Sequence, residues 1–210
     1  MCGDKEKLVE NDGYTPNGST WLAAVDAQED DVAEARVANL TAADEPMLLV
    51  LLQEKDANRQ WWAIRALGAC GSEASLGALL PFLETDHDEL RAVAIMALGN
   101  VGQRHPTALQ PFLAQLTACL ADASGMIRQI AADTLAQCGN PVIPALVEVL
   151  RYGKDQGMRS RAAYALAKIG TMEAAPALYR CLNDSNYLVH TYAYEALEKM
   201  GLLENVLLAP

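Results

Sequence analysis

The sequence is poor in aromatic residues (6%), has only three histidines and contains no long apolar run. No stretch approaches the roughly 20 apolar residues of a spanning helix, so no membrane is expected as a partner. Basic residues are scarce: 16 Lys and Arg stand against 27 Asp and Glu, a net charge of −11. Proteins that track a nucleic-acid backbone need a basic stripe, and none is present, so nucleic acid is excluded as a partner. The five cysteines form an odd set with no C-x-x-C and no Cys/His ligand spacing, which excludes a disulfide framework and a thiolate metal site. No nucleophile–base pair, glycine-rich phosphate loop or metal cluster occurs, so no catalytic residue and no cofactor is expected. Lys5, Glu6 and Lys7 stand where the apolar segment of a secretory leader would lie, and Cys2 beside Met1 without such a segment reads as incidental. A reducing cytoplasm is the expected compartment.

What the sequence has instead is a repeat. An Ala, a Leu four residues on and a Gly four residues further recur as Ala63/Leu67/Gly71, Ala94/Leu98/Gly102, Ala131/Leu135/Gly139, Ala162/Leu166/Gly170 and Ala193/Leu197/Gly201. The Ala advances by 31, 37, 31 and 31 residues, a period that marks a solenoid. Residues four apart share one helix face, so the small Ala column admits a neighbouring helix and the Leu column fills the space beyond. The Gly is a C-cap signal, since it accepts the left-handed backbone of a sharp stop. Three residues before the Ala stand Arg91, Arg128 and Arg159, with Gln60 and His190 in the remaining two repeats.

Taken in order, residues 1–18 are polar and aperiodic and read as a flexible leader. The single repeat domain is expected over 19–210. Its first repeat, 19–44, fits the pattern poorly, as terminal units of an array often do. It comprises one helix capped by Ser19 or Thr20 and a second opened by Asp30 and Asp31. Five clear units follow over 45–201, each a helix A, a turn and a helix B. Helix A carries the Leu column Leu52, Leu83, Leu120, Leu150 and Leu182. Asn140, Thr171, Ser72 and Asp44 are candidate caps for A helices, and Asp56, Asp88, Ser124, Asp155 and Ser185 for B helices. One repeat is six residues longer, with the excess around Gln103–Pro106 and the A helix that follows, an expected loop or lengthened helix. Residues 202–210 read as a capping segment. Nothing alternates with period two, so no strand is expected. The cysteines at 70 and 138 share a repeat position with Val101, Ile169 and Met200; those at 119 and 181 share one with Leu51, Phe82 and Val149. Apolar columns predict that all four are buried core thiols.

The stretches RAVAIMALGNVG, IRQIAADTLAQCG and MRSRAAYALAKIG resemble HEAT-like repeats, in the short form found in phycobilin lyase subunits, and the resemblance covers about 45–201. It implies an all-α fold, an α-α superhelix or HEAT-like solenoid of about five clear helix pairs plus a degenerate N-terminal pair. It also implies that B helices line a concave groove and A helices the convex side. The motif residues are scaffold residues, so no catalytic role is carried over with them. Deoxyhypusine hydroxylase, a related helical-repeat enzyme, holds two irons through His-Glu pairs; here His87, His105 and His190 are the only histidines, and none precedes a Glu.

With the B helices inward, positions off the core columns form the candidate binding surface: Trp61, Trp62, Arg65, Val93, Met96, Ile130, Asp133, Arg161, Tyr164, Tyr192 and Glu195. An apolar stripe rimmed by charge marks a binding surface, and Trp, Tyr and Arg are frequent anchors. The competing arrangement packs Trp61 and Trp62 against the first repeat and tucks Val93 and Ile130 between helices. Asp133 and Glu195 are separate carboxylates without an evident partner. The expected function is that of a non-enzymatic protein-binding scaffold with a protein partner. The alternative, implied by the resemblance, is a phycobilin lyase subunit or bilin chaperone gripping a linear tetrapyrrole or a phycobiliprotein, with Arg65, Arg161 and Tyr164 receiving the propionates.

Overall fold

A computed structural model describes residues 14–203. The described chain is an all-α solenoid. Its first pair is α1 (Pro16–Asp26) and α2 (Asp30–Val37). The A helices that follow are α3 (Glu45–Leu51), α5 (Ala74–Leu79), α7 (Pro106–Leu109) with α8 (Leu113–Ala118), α10 (Ile143–Tyr152) and α12 (Ala175–Cys181). The B helices are α4 (Ala57–Cys70), α6 (Asp88–Arg104), α9 (Gly125–Cys138), α11 (Gln156–Ile169) and α13 (Tyr187–Lys199). Short 3-10 turns extend several A helices, as at Leu80–Leu83 and Cys119–Ala121.

The repeat columns form the core. All five Ala residues and the Leu residues four positions on are at most 1% exposed. The B helices pack side by side along the whole array, whereas consecutive A helices touch sparsely. Small side chains make this possible: a Cβ on Gly68 would sit 3.1 Å from the Ala97 Cα, and one on Gly99 would sit 2.2 Å from the Thr134 Cγ2. A layer drawn together by small residues becomes the inner side of the curve, which places the B helices inside.

The column three residues before the Ala has a single mechanical task. Each member reaches the end of its own A helix, where carbonyls lack intrahelical donors. Gln60 donates to Leu52 O (3.2 Å) and Glu54 O (2.7 Å), Arg91 to Thr85 O (2.6 Å) and Arg128 to Asp122 O (2.6 Å). Arg159 donates to Leu150 O (3.1 Å), and His190 Nδ1 to Leu182 O (2.7 Å). Arg91 and Arg159 also pair with Asp122 and Asp184 of the next repeat.

Several boundaries differ from expectation. The first helix starts at Pro16, with the Thr15 hydroxyl accepting from Gly18 N, so residues 16–18 belong to the domain; residues 1–13 of the expected leader lie outside the described residues. Asp56 and Asp155 cap as expected, but Asn186 takes the place expected for Ser185 and Ser124 makes no side-chain cap bond. Asn140 opens a 3-10 turn, and its Oδ1 accepts from Thr171 Oγ1 at 2.8 Å. Gly139, Gly170 and Gly201 have positive φ, as stops require, but Gly71 has φ −65°. Gly102 lies inside α6, where a Cβ would meet the Leu109 side chain at 2.4 Å. The long repeat extends its B helix: α6 has 17 residues, against 14 in α4, α9 and α11. Its last residue, Arg104, donates to Gly68 O and Gly71 O, both at 2.9 Å, and so closes the end of α4. Of the expected capping segment, Leu202 and Leu203 pack against the core, and residues 204–210 lie outside the described residues.

Candidate functional site

The groove is built by α6, α9, α11 and α13, and its lining comes mainly from the positions two and six residues after the repeat Ala: Met96 and Asn100, Asp133 and Gln137, Tyr164 and Lys168, Glu195 and Lys199. Met96 is 50% exposed and, with Ile130, Asp133, Asn100, Thr134 and Gln137, lines a dimple of about 150 Å³ between α6 and α9. A second dimple, of about 280 Å³, lies between α11 and α13 and is lined by Tyr164, Lys168, Tyr192, Glu195 and Lys199 with two alanines. The Tyr164 and Tyr192 rings meet edge to face with centroids 5.5 Å apart.

Between the dimples stands a polar bridge centred on Asp133. Its carboxylate accepts from Lys168 Nζ (2.5 Å), Tyr164 OH (2.9 Å) and Gln129 Nε2 (2.9 Å). Arg161 donates to the Gln129 side chain from the next helix. Burial alone would raise the Asp133 carboxyl, but the bonds from Lys168, Gln129 and Tyr164 outweigh it and hold the acid below its usual range. The same bond to Asp133 raises the Lys168 ammonium. Asp133 is thus a fully partnered anchor, which corrects the expectation that it lacks a partner. The bridge ties the Tyr164 hydroxyl, and the Tyr192 ring rests against the ring so held. Around the two dimples stand the cations Arg161, Lys168 and Lys199 and the acids Asp133 and Glu195, with Lys168 paired to Asp133.

Two expected surface residues are core. Trp62 is 4% exposed and Val93 is 5% exposed. Both hold the position just before the repeat Ala, which faces the preceding B helix; Trp62 packs edge to face on Trp61 at 4.9 Å beside the first pair. Trp61, Ile130, Arg161, Tyr164 and Tyr192 are half-buried, and Glu195 is exposed. Arg65 is half-buried and paired with Glu34 of α2, so it lies apart from the Asp133 bridge. The structure therefore brings Met96, Ile130, Asp133, Arg161, Tyr164, Tyr192 and Glu195 onto one surface. Lys168 and Gln129 also belong to it; both stand at B-helix positions off the core columns, four residues from Tyr164 and Asp133.

The thiols divide as well. Cys119 and Cys181 are buried, whereas Cys70 and Cys138 are half-buried, contrary to the expectation for all four; all are free. Burial pushes each thiol up to about 11, which leaves little nucleophilic thiolate at neutral pH.

Comparison with known proteins fits this architecture. The chain is 26% identical to phycocyanin operon protein Z of Pseudanabaena tenuis over 162 residues, 74% of this chain and 79% of that one. A stretch of 89 residues is 40% identical to the deoxyhypusine hydroxylase of Candida albicans, covering 39% of this chain and 28% of the enzyme. Among solved structures, the complex of CpcE and CpcF of phycocyanin lyase from Nostoc sp. PCC7120 matches with a TM-score of 0.56 at 21% identity, over 70% of this chain and 96% of that one. The archaeal HEAT-like repeat protein of Thermococcus onnurineus matches with a TM-score of 0.51 at 17% identity, over 85% and 75%. The model of HEAT repeats matches residues 44–118 and 113–198, most of the described solenoid, and the chain belongs to the HEAT repeat family.

Proposed function

We propose that this protein is a non-enzymatic scaffold that holds a protein partner in the groove of its B helices. One observation carries the reading: Met96 is half exposed, and Ile130, Tyr164 and Tyr192, which rest on the core, keep part of their surface open on the same side of successive B helices. A solenoid presents such a surface preformed, so little ordering opposes association. An aromatic side chain tied by a polar bridge, as Tyr164 is, suits the role of an anchor. Arg161 and Lys199, the groove cations not paired with a carboxylate in the described residues, favour a partner that brings apolar side chains with a carboxylate nearby. The free thiols suit a reducing compartment such as the cytoplasm.

A second reading, a bilin chaperone or phycobilin lyase subunit, is favoured by the likeness to phycocyanin operon protein Z and to the phycocyanin lyase complex. Here the partner is a phycobiliprotein or a linear tetrapyrrole, and Arg161 and Lys199 receive propionates.

Titration of the purified protein with phycocyanin subunits lacking their bilin, and separately with free phycocyanobilin, tests both readings. Binding of the polypeptide that falls at least about tenfold in Met96→Asp and in Tyr192→Ala supports the groove as a protein site. A visible spectral shift of the free bilin, lost in Arg161→Met, supports the second reading. Equal polypeptide binding by wild type and both groove variants removes the groove as the site.

A further inference from the structure

The largest concavity among those described lies on the outer side, away from the groove. It is a cleft of about 830 Å³ between the α5 segment with its Leu80–Leu83 turn and the α8 segment with its Cys119–Ala121 turn. It coincides with the break in the repeat period. The Ala step here is 37 residues instead of 31, and the excess is taken up by the lengthened α6 and by α7. A repeat-equivalent cleft exists between α10 and α12, where the step is regular, and it measures about 120 Å³.

Aligning the two clefts on the Leu column shows a chemical difference as well as a difference in size. Leu83, Cys119 and Asp122 of the first correspond to Leu150, Cys181 and Asp184 of the second. Where the second has Arg151 and Arg180, the first has Glu84 and Ala118. The walls of the first are small: Ala118 is exposed, and a Cβ on Gly77 would touch nothing within 4 Å. Leu80 and Leu83 supply an apolar floor. Asp122 is held by Arg91 (3.1 Å) and by Ser124 N (2.7 Å), which fixes that wall. Glu84 is exposed and has no ion pair among the described residues, and no basic side chain lines the cleft.

We propose that this outer cleft docks a protein segment carrying an Arg or Lys next to a bulky apolar side chain, the apolar group entering between Leu80 and Ala118 and the cation meeting Glu84. The charge of the cleft selects that partner. It also disfavours a second copy of this chain, whose own net charge is −11. The site is independent of the groove, so the two surfaces permit a bridging role.

Selection of short random peptides on the full-length protein, followed by titration of an enriched peptide, tests the proposal. Enriched sequences should share Arg or Lys beside Leu, Ile, Met or Phe. Their binding should weaken with added salt and fall at least about tenfold in Glu84→Arg and in Ala118→Arg, which install the cations of the second cleft, while Met96→Ser in the groove leaves it unchanged. Both cleft substitutions are at exposed positions, and Glu84→Gln serves as the conservative variant should either fail to melt like wild type. Failure to enrich any peptide overturns the proposal, as does enrichment of peptides without a base or binding that survives every cleft variant. Loss only in Met96→Ser would assign the peptides to the groove instead. A change in the sedimentation of the unliganded protein on Ala118→Arg would identify a second copy as the occupant and equally overturn the proposal.

Discussion

The two layers of this solenoid share one repeat and differ in character. Each B helix of the five clear repeats is continuous, with 13 to 17 residues, and none contains proline. Every described proline outside α1 lies in the A layer, at 46, 81, 106, 111, 141, 144 and 176. Proline removes a backbone donor and disturbs the preceding turn, so the A segments are short and interleaved with 3-10 turns. Glycine and alanine let the B helices close up, whereas the A segments stand apart. The difference teaches how one sequence period yields both a closely packed inner layer and a looser outer one.

The largest effect is expected in the tight layer. Leu98→Ala should cost about 2–5 kcal/mol in a urea titration, since Leu98 is 1% exposed and the packed B helices cannot collapse onto the void. Val50→Ala, at a side chain that is 57% exposed on the A side, should change little. Equal losses at both positions would erase the distinction between the layers.

Gly99→Ala sharpens the same comparison. Its Cβ would overlap the Thr134 Cγ2, and the expected cost is about 1–3 kcal/mol. Adding Thr134→Ala should recover part of that loss, because the two sites share one contact. Gly77→Ala in the open outer cleft, where a Cβ meets nothing within 4 Å, should not destabilise.

The A layer has a tie of its own, which acidification should expose. Glu45 Oε1 accepts from Ser72 N (3.0 Å), Ser72 Oγ (2.9 Å) and Ser75 Oγ (2.5 Å) of the next repeat. Burial acts to raise this acid, but the bonds from Ser75 and Ser72 prevail and hold it below its ordinary 4.5. A depressed folded value means that the contribution is fully present above 4.5 and is lost as pH falls through the lower folded value. Glu45→Gln should therefore lower the melting point at neutral pH, and the gap to wild type should narrow as the pH drops below 4.5. A gap independent of pH would mean that the charge of Glu45 is not what matters.

The smallest effect is expected at the groove. Lys168→Met removes a pair whose lysine side chain is 47% exposed, so the stability change should be about 0.2–1 kcal/mol by thermal melting. A larger loss would make the Asp133 bridge part of the scaffold and not a support for the binding surface.

These contrasts mark how much the sequence discloses. The Ala, Leu and Gly spacing was sufficient for the fold, because each column repeats one contact. Exposure was less legible. The position just before the repeat Ala carries Trp62, Val93, Ile130, Arg161 and Tyr192; its first two members are buried and the other three half-buried. Periodicity assigns them one direction but is silent on the size of the neighbours that cover them. The Asp133 bridge joins α9 to α11 across 31 residues for Tyr164 and 35 for Lys168, a pairing that no single helix face reveals. The outer cleft was foreshadowed only by the 37-residue step.

The polar column that closes each A helix has a consequence for how the chain acquires its shape. Gln60, Arg91, Arg128, Arg159 and His190 reach carbonyls only six to nine residues behind them. Each of the five clear hairpins is thus latched by partners that meet early, without waiting for distant chain to arrive. Contacts this local favour rapid folding, and an array of self-latched hairpins can nucleate at any one of them and grow outward by stacking. Under denaturant or force the same construction yields from its ends, hairpin by hairpin, with the interior the last to open.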